Sequence, residues 1–233
     1  TERNGSWDLY TSTIERKEEP YFFNATVLKE EALLATPAEE FQAAWSPDGK
    51  EVAYLEERTT LRVYNVADKK SRTVLPGDRN YSYSDGDQHY AWSPDSKWLL
   101  VNFLRPKQWV DQCGLVSATG DKEVIDLTRS GYGHYGPEWT MGGKAMLSGS
   151  SRDGMKNHAS WGGQMDVYAT FFTQEAYDRF NLSKEEFELV KEDEEKKKKE
   201  EEKKKEDAKG KKDDKDEKEK IEPLKFELDG IQD

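Results

Sequence analysis

The chain has 233 residues, 36% of them charged and 34% hydrophobic, with a formal net charge of −12. An acidic body argues against nucleic acid as a partner, because phosphate binding needs a basic surface. No apolar run approaches the ~20 residues of a membrane helix, so no membrane span is expected in this segment.

The opening, with Gly5-Ser6-Trp7-Asp8-Leu9-Tyr10-Thr11, parallels an internal passage in which Ser151-Arg152-Asp153-Gly154 leads to Asp166-Val167-Tyr168-Ala169. The internal passage follows a tryptophan phrase and its apolar strand. Residues 1–36 are therefore expected to be the second half of a blade, with two strands lying before Thr1. The tryptophan phrase itself comes first as Ala44-Trp45-Ser46-Pro47-Asp48-Gly49-Lys50 and returns as Ala91-Trp92-Ser93-Pro94-Asp95-Ser96-Lys97. Its third copy is Glu138-Trp139-Thr140-Met141-Gly142-Gly143-Lys144. The three tryptophans are spaced 47 residues apart in both intervals, the mark of a repeat architecture.

Ser-Pro-Asp-Gly suits a type I turn position by position. The runs behind it, Val52 to Leu55, Trp98 to Val101 and Ala145 to Leu147, are short and lack a polar face, as in strands buried on both sides. Leu61 to Val66 and Ser71 to Leu75 supply two more strands, and the second copy repeats them at Gly114 to Ser117 and Glu123 to Leu127. The expected fold is all-β, a partial β-propeller of four-stranded blades with a repeat of about 47 residues and a charged helical or disordered insertion. Residues 37–77 and 78–131 form whole blades, and 132–172 form the first three strands of another. The insertion covers 173–220, and 221–233, with Leu224 to Leu228 alternating, forms the last strand of the interrupted blade. Such a set is expected not to close a ring, since propellers have typically four to eight blades, and so to belong to a longer protein. The tryptophans are read as blade core.

Within the insertion, Thr173 to Phe180 reads as a short helix with Ala176, Tyr177 and Phe180 on one side. Ser183-Lys184-Glu185-Glu186 is a capping box, with Leu182 and Phe187 as its hydrophobic staple. Pairs such as Glu192–Lys196, Glu194–Lys198 and Glu195–Lys199 have the favoured i,i+4 order. They predict a solvated helix from about Lys184 to about Ala208, with disorder from Gly210 onward. From Lys191 to Lys220, 28 of 30 residues are charged, 14 lysines against 14 acids, so the −12 belongs entirely to the remaining residues.

Candidates for chemistry are few. Cys113 is the one cysteine, in a strand-like setting that suits a small core residue. His89, His134 and His158 are too scattered for a metal-site spacing. Asp85-Gly86-Asp87 has part of a calcium-loop pattern but lacks the other ligands, and reads as a turn. No nucleophile elbow, phosphate loop or zinc motif occurs, so no catalytic, cofactor or metal residue is assigned and no cofactor is expected. His89, Tyr90, His134 and Tyr135 sit at or before innermost strands, where they are candidates to line a channel.

The repeated Trp-Ser-Pro-Asp-Gly-Lys phrase resembles the propeller repeats of TolB-like and tricorn-type proteins. Longer stretches sharpen the match: Glu39-Glu40-Phe41 ahead of Trp45, Tyr54 to Leu61, Asn80 to Asp87, and Asp166-Val167-Tyr168 leading to Phe171-Phe172-Thr173-Gln174-Glu175-Ala176 before the charged insertion. Together they are similar to the N-terminal propeller of bacterial tricorn-type serine proteases, in the C-terminal-processing peptidase group. The third copy departs from the pattern at Thr140-Met141-Gly142-Gly143. The resemblance implies a non-catalytic propeller that gates or guides peptide or unfolded-protein substrates and supports assembly, with homo-oligomers among its partners. Its other partners would be the remainder of the propeller and a downstream protease module bearing the catalytic residues. It also implies a periplasmic or envelope location, with a cytoplasmic one as the alternative. A TolB-like scaffold and the propeller of a prolyl-oligopeptidase-like enzyme share the turn phrase and stay open.

Overall fold

The turn phrase builds the hairpin from which each large sheet starts. In the computed structural model, which describes residues 1–3, 5–155, 163–208 and 222–231, Ser46 Oγ accepts from Glu51 N at 3.0 Å and donates to Asp48 Oδ1 at 2.7 Å. Gly49 closes the turn with φ 72°, a left-handed value that favours glycine. The second phrase repeats the arrangement: Ser93 Oγ accepts from Trp98 N at 2.9 Å and donates to Asp95 Oδ1 at 2.6 Å. Ser96 takes the left-handed place there, and its Oγ accepts from Asp48 N at 3.1 Å, bonding one turn to the next. The third phrase has lost Pro and Asp. Its turn is made instead by Met141, Gly142 and Gly143, all left-handed at φ 51°, 66° and 92°.

These hairpins grow into antiparallel sheets. Strands β1 (Glu2–Arg3) and β2 (Ser6–Trp7) pair with each other, as do β3 (Leu9–Ile14) and β4 (Leu28–Leu34). A four-stranded sheet follows in chain order: β5 (Glu40–Trp45), β6 (Glu51–Glu56), β7 (Thr60–Asn65) and β8 (Lys70–Leu75). The next four-stranded sheet is β9 (Tyr90–Trp92), β10 (Trp98–Leu104), β11 (Asp111–Ser117) and β12 (Ile125–Asp126). A three-stranded sheet, β13 (His134–Thr140), β14 (Ala145–Ser150) and β15 (Asp166–Phe171), completes the set. The register repeats: Trp45 opposes Val52, Trp92 opposes Leu99, and Trp139 opposes Met146. The fold is all-β and propeller-like.

Three apolar layers lie between successive sheets, because alternate residues of each strand point to opposite faces. Val52 and Tyr54 face back onto Leu9, whereas Ala53 and Leu55 face forward onto Leu99 and Val101. Leu100 in turn faces forward onto Met146 and Phe172. A strand covered on both faces can have no polar side, which explains the unbroken apolar runs. The tryptophans add a directed bond to two of these layers, whereas Trp45 is 51% exposed. Trp92 Nε1 donates to Ala44 O at 3.0 Å, and Trp139 Nε1 donates to Ala91 O at 3.0 Å.

The insertion forms α1 (Gln174–Phe180) and α2 (Lys184–Ala208). Thr173 caps α1 through its side chain, which accepts from Ala176 N, and Phe171 packs against Tyr177 and Phe180 at 5.4 and 5.1 Å. The capping box of α2 forms: Glu186 N donates to Ser183 Oγ at 3.3 Å while Ser183 N donates to Glu186 Oε2 at 2.9 Å. Glu192 and Lys196 pair at 4.0 Å. Glu194 is held by both terminal nitrogens of Arg179, at 2.5 and 3.1 Å; its expected partner Lys198 lies outside the described side chains. That bidentate contact ties α2 to α1 through a planar guanidinium fork. The expected disorder from Gly210 to 220 lies outside the described residues.

The closing strand expected at 221–233 differs in its pairing. Leu224, Phe226 and Leu228 do alternate inward, but residues 222–231 join no sheet. Phe226 is instead drawn between two sheets, at 5.2 Å from Trp98 and 5.1 Å from Phe172. One backbone bond, Glu227 N to Phe172 O at 2.7 Å, holds the segment to the end of β15. Phe226, Leu228 and Ile231, all partly buried, pack against that inter-sheet layer in place of ladder pairing. No helix among the described residues is long and apolar enough to cross a membrane.

Candidate functional site

In these meandering sheets the 76–89, 105–110 and 127–133 connections emerge at one end, opposite the tryptophan turns. That end carries a cluster of exposed aromatic rings. Tyr81 packs on Tyr83 at 4.6 Å and on Trp109 at 4.8 Å, and Tyr83 and Trp109 remain 80% and 65% exposed. Tyr135 joins them around a cavity of about 210 Å³ that Asp87, Asn102 and Asp111 also line. Large aromatic groups left in solvent together, on loops, mark a surface built to touch something.

The loops are held by polar groups that run from exposed Asp87 to fully buried Gln112. Asp87 clamps the 82–84 turn: Tyr83 N and Ser84 N donate to its Oδ2 at 2.5 and 2.9 Å, and Ser82 Oγ donates to Oδ1 at 2.8 Å. Asp85 pairs with Arg58 at 2.9 Å, so both carboxylates of the Asp-Gly-Asp phrase serve the turn. Asn102 donates to His134 O at 2.8 Å and accepts from Gly136 N at 2.9 Å. Arg105 bonds Asp126 at 2.6 Å and Ser130 O at 3.0 Å. Gln112, fully buried, donates to Tyr132 O at 2.9 Å and accepts from Ser130 N at 3.0 Å. Nothing in the spacing of these residues announces the network, because its members come from three connections.

Electrostatics differ across the cleft. Burial lifts the Asp111 carboxyl above its usual range, partly offset by its backbone bond, and burial together with Asp111 raises the Tyr135 phenol. For Asp87, burial pushes upward but the bonds from Ser84, Tyr83 and Ser82 prevail, and its pKa is lowered. A lowered carboxylate contributes loop stability above its unfolded value and loses it as pH falls through the folded one. The expected result is an NMR titration of Asp87 with a midpoint below the ordinary ~3.9, with the Tyr83 and Ser84 amides shifting alongside. A midpoint at or above that value would contradict the clamp.

The four channel candidates stand in different settings. Tyr135 is 44% exposed and belongs to the cleft. His89 is half-buried, with Nε2 2.9 Å from Pro137 O and 3.4 Å from Glu138 Oε1. The Tyr90 hydroxyl donates to Gln42 O, and burial holds its pKa well above the ordinary value. His134 is 5% exposed, edge-on to Tyr168 at 5.9 Å, and among the described residues neither ring nitrogen has a hydrogen-bond partner. Burial, with the nearby Arg152, lowers the His134 pKa. Cys113 is buried and its thiol is pushed up to about 12, which makes it unreactive. His158 lies outside the described residues. The aromatic cleft itself was missed in the sequence; the available signal was Tyr81, Tyr83 and Trp109 standing in otherwise polar connections.

No family model and no curated protein matches the chain. Solved structures similar to it include a protein assigned as TolB from Agrobacterium tumefaciens, at 18% identity and TM-score 0.40, covering 61% of this chain and 46% of that one. One of two prolyl endopeptidases analysed for inter-domain dynamics is similar at 16% identity and TM-score 0.44, covering 63% and 23%. The AtxE2 isopeptidase is similar at 14% identity and TM-score 0.36, covering 49% and 21%. The chain spans less than half the length of each of these structures.

Proposed function

We propose that the chain is a non-catalytic, polypeptide-handling propeller segment of a tricorn-like serine peptidase. In this reading it holds and guides extended substrate toward a protease module elsewhere in the same protein, in the cell envelope. The observation that supports it is the exposed cluster of Tyr81, Tyr83, Trp109 and Tyr135 around Asp111. An unfolded polypeptide offers what such a cleft takes: apolar and aromatic side chains for the rings, and lysine or arginine for the ring faces and the carboxylate. A body carrying all of the −12 charge draws basic segments toward it.

The test is fluorescence anisotropy with a labelled, unstructured lysine-containing peptide. Trp109→Ala is expected to weaken binding about tenfold, the loss of one good aromatic contact of roughly 1–1.5 kcal/mol. Asp111→Asn should weaken the lysine peptide and leave its norleucine analogue unaffected, and the purified chain should release the peptide uncut. Unchanged affinity in Trp109→Ala, or hydrolysis by the purified chain, would overturn this reading.

A further inference from the structure

The apolar layer between the β9–β12 and β13–β15 sheets borders a cavity whose floor is polar and unmet. Met146 of β14 packs into that layer, and Ser148, two residues on and on the same face, lines a cavity of about 580 Å³. Sites that enclose small molecules have volumes of roughly 300–1,000 Å³. Ser148 is 3% exposed and lies beside the Cys113 thiol, yet its Oγ has no hydrogen-bond partner among the described residues. His134, from the neighbouring strand β13, lines the same cavity with both ring nitrogens unpartnered among those residues. A buried polar group left unpaired costs about 1–3 kcal/mol. Two of them at one cavity point to a hydrogen-bonding guest.

The remaining polar lining divides into groups already engaged and groups left free. Tyr168 donates its hydroxyl to Asp153 at 2.6 Å, Thr128 donates to Gln112 at 2.9 Å, and Glu227 accepts from Gln174 N at 2.9 Å. Arg152 and Asp229 also line the cavity; both are exposed, and neither has an ion pair among the described residues. They come from different segments, Arg152 from the connection after β14 and Asp229 from the 222–231 segment. Ser150 Oγ accepts from Arg152 N at 3.2 Å and fixes that connection where it leaves the strand. The cation reaches the floor, since Arg152 is among the charges that act on His134. Tyr168, Phe171 and Tyr177 supply aromatic surface. Water would satisfy the floor alone; a free cation and a free carboxylate beside it suit a guest carrying both charges.

We propose that this cavity binds a short zwitterion of dipeptide size, its carboxylate held by Arg152, His134 and Ser148 and its ammonium by Asp229. A guanidinium, an imidazole N–H and a serine hydroxyl all donate, and a carboxylate accepts from each. An ammonium only donates, and Asp229, with Glu227 as a second negative charge on the same segment, meets that need. An apolar side chain of the guest packs on Phe171 and Tyr177. This cavity and the aromatic cleft have no lining residue in common, so the site does not depend on polypeptide binding at that cleft.

The experiment titrates alanyl-phenylalanine into the full chain with ¹³C-labelled histidine rings. The His134 ring signals should shift saturably at millimolar dipeptide, while those of His89 stay unmoved. Acetylating the amine or amidating the carboxylate of the probe should each weaken binding about tenfold, the loss of one charge-assisted contact. Arg152→Gln should remove the penalty for amidation, and Asp229→Asn the penalty for acetylation. Ser148→Ala should weaken binding about threefold to tenfold without lowering the Tm of the free chain, because it deletes an unpaired hydroxyl; a lower Tm with unchanged affinity would mark a purely structural serine and overturn its role. Trp109→Ala should leave dipeptide binding unchanged, so that the two sites stand or fall separately. No response of His134 would overturn the proposal. So would an equal response to the doubly blocked dipeptide, which would mark a general apolar groove, or to acetate, which would mark a plain anion site.

Discussion

Phe172→Ala is expected to destabilise the chain by about 3–5 kcal/mol, the usual cost of emptying a fully buried aromatic site. Phe172 is 0% exposed and sits where four parts of the molecule meet. Its ring packs on Trp139 at 5.4 Å and on Phe226 at 5.1 Å, and its backbone carbonyl accepts from Glu227 N at 2.7 Å. Alanine would leave a void bounded by two sheets, whose paired strands cannot close inward to fill it. The 222–231 segment would lose the ring contact on Phe226 and keep only Trp98 and a few hydrogen bonds, having no ladder to hold it. Urea unfolding should show the loss in midpoint, and limited proteolysis should find new cuts in 222–231 before the sheets open. Phe226→Ala, at a half-buried site, should cost less, and the double variant should cost less than the sum because both remove the same contact. A loss below ~1 kcal/mol for Phe172→Ala would mean that this junction is not part of the core.

What could be read in advance followed from local chemistry. Ser46 and Ser93 repeat the same bonds because each turn needs an acceptor at that position, and a period of 47 residues carries that need along the chain. The start of α2 was legible for a similar reason: the Ser183–Glu186 box satisfies orphan N–H groups within four residues. Contacts between distant segments were not legible. Arg179 capturing Glu194, the exposure of Trp45, and the packing of Phe226 into a layer instead of a ladder each depend on where a second element lies. The aromatic cleft belongs with these. Tyr81 and Trp109 are 28 residues apart and meet only because two connections leave their sheets at the same end.

Gln112→Leu is the complementary experiment, since it keeps the volume and removes only the bonds. The expected cost is about 3–4 kcal/mol, from several buried polar groups losing partners at once. Gln112 Oε1 accepts from Arg105 at 3.1 Å, Thr128 Oγ1 at 2.9 Å and Ser130 N at 3.0 Å, while Nε2 donates to Asp111 O at 2.7 Å and Tyr132 O at 2.9 Å. Leucine satisfies none of them, and water cannot reach a side chain that is 0% exposed. Gln112→Glu keeps the three accepted bonds and loses the two donated ones, so it should fall between the wild type and Gln112→Leu. The variants also separate stability from recognition. Gln112 is absent from the cleft lining, yet its bonds fix the 128–132 connection that leads into Tyr135. Gln112→Leu should therefore weaken peptide binding under conditions where the chain remains folded. If circular dichroism shows full folding and anisotropy shows unchanged affinity, the connection does not position the cleft, and Tyr135 must be held by Asn102 and its own strand alone.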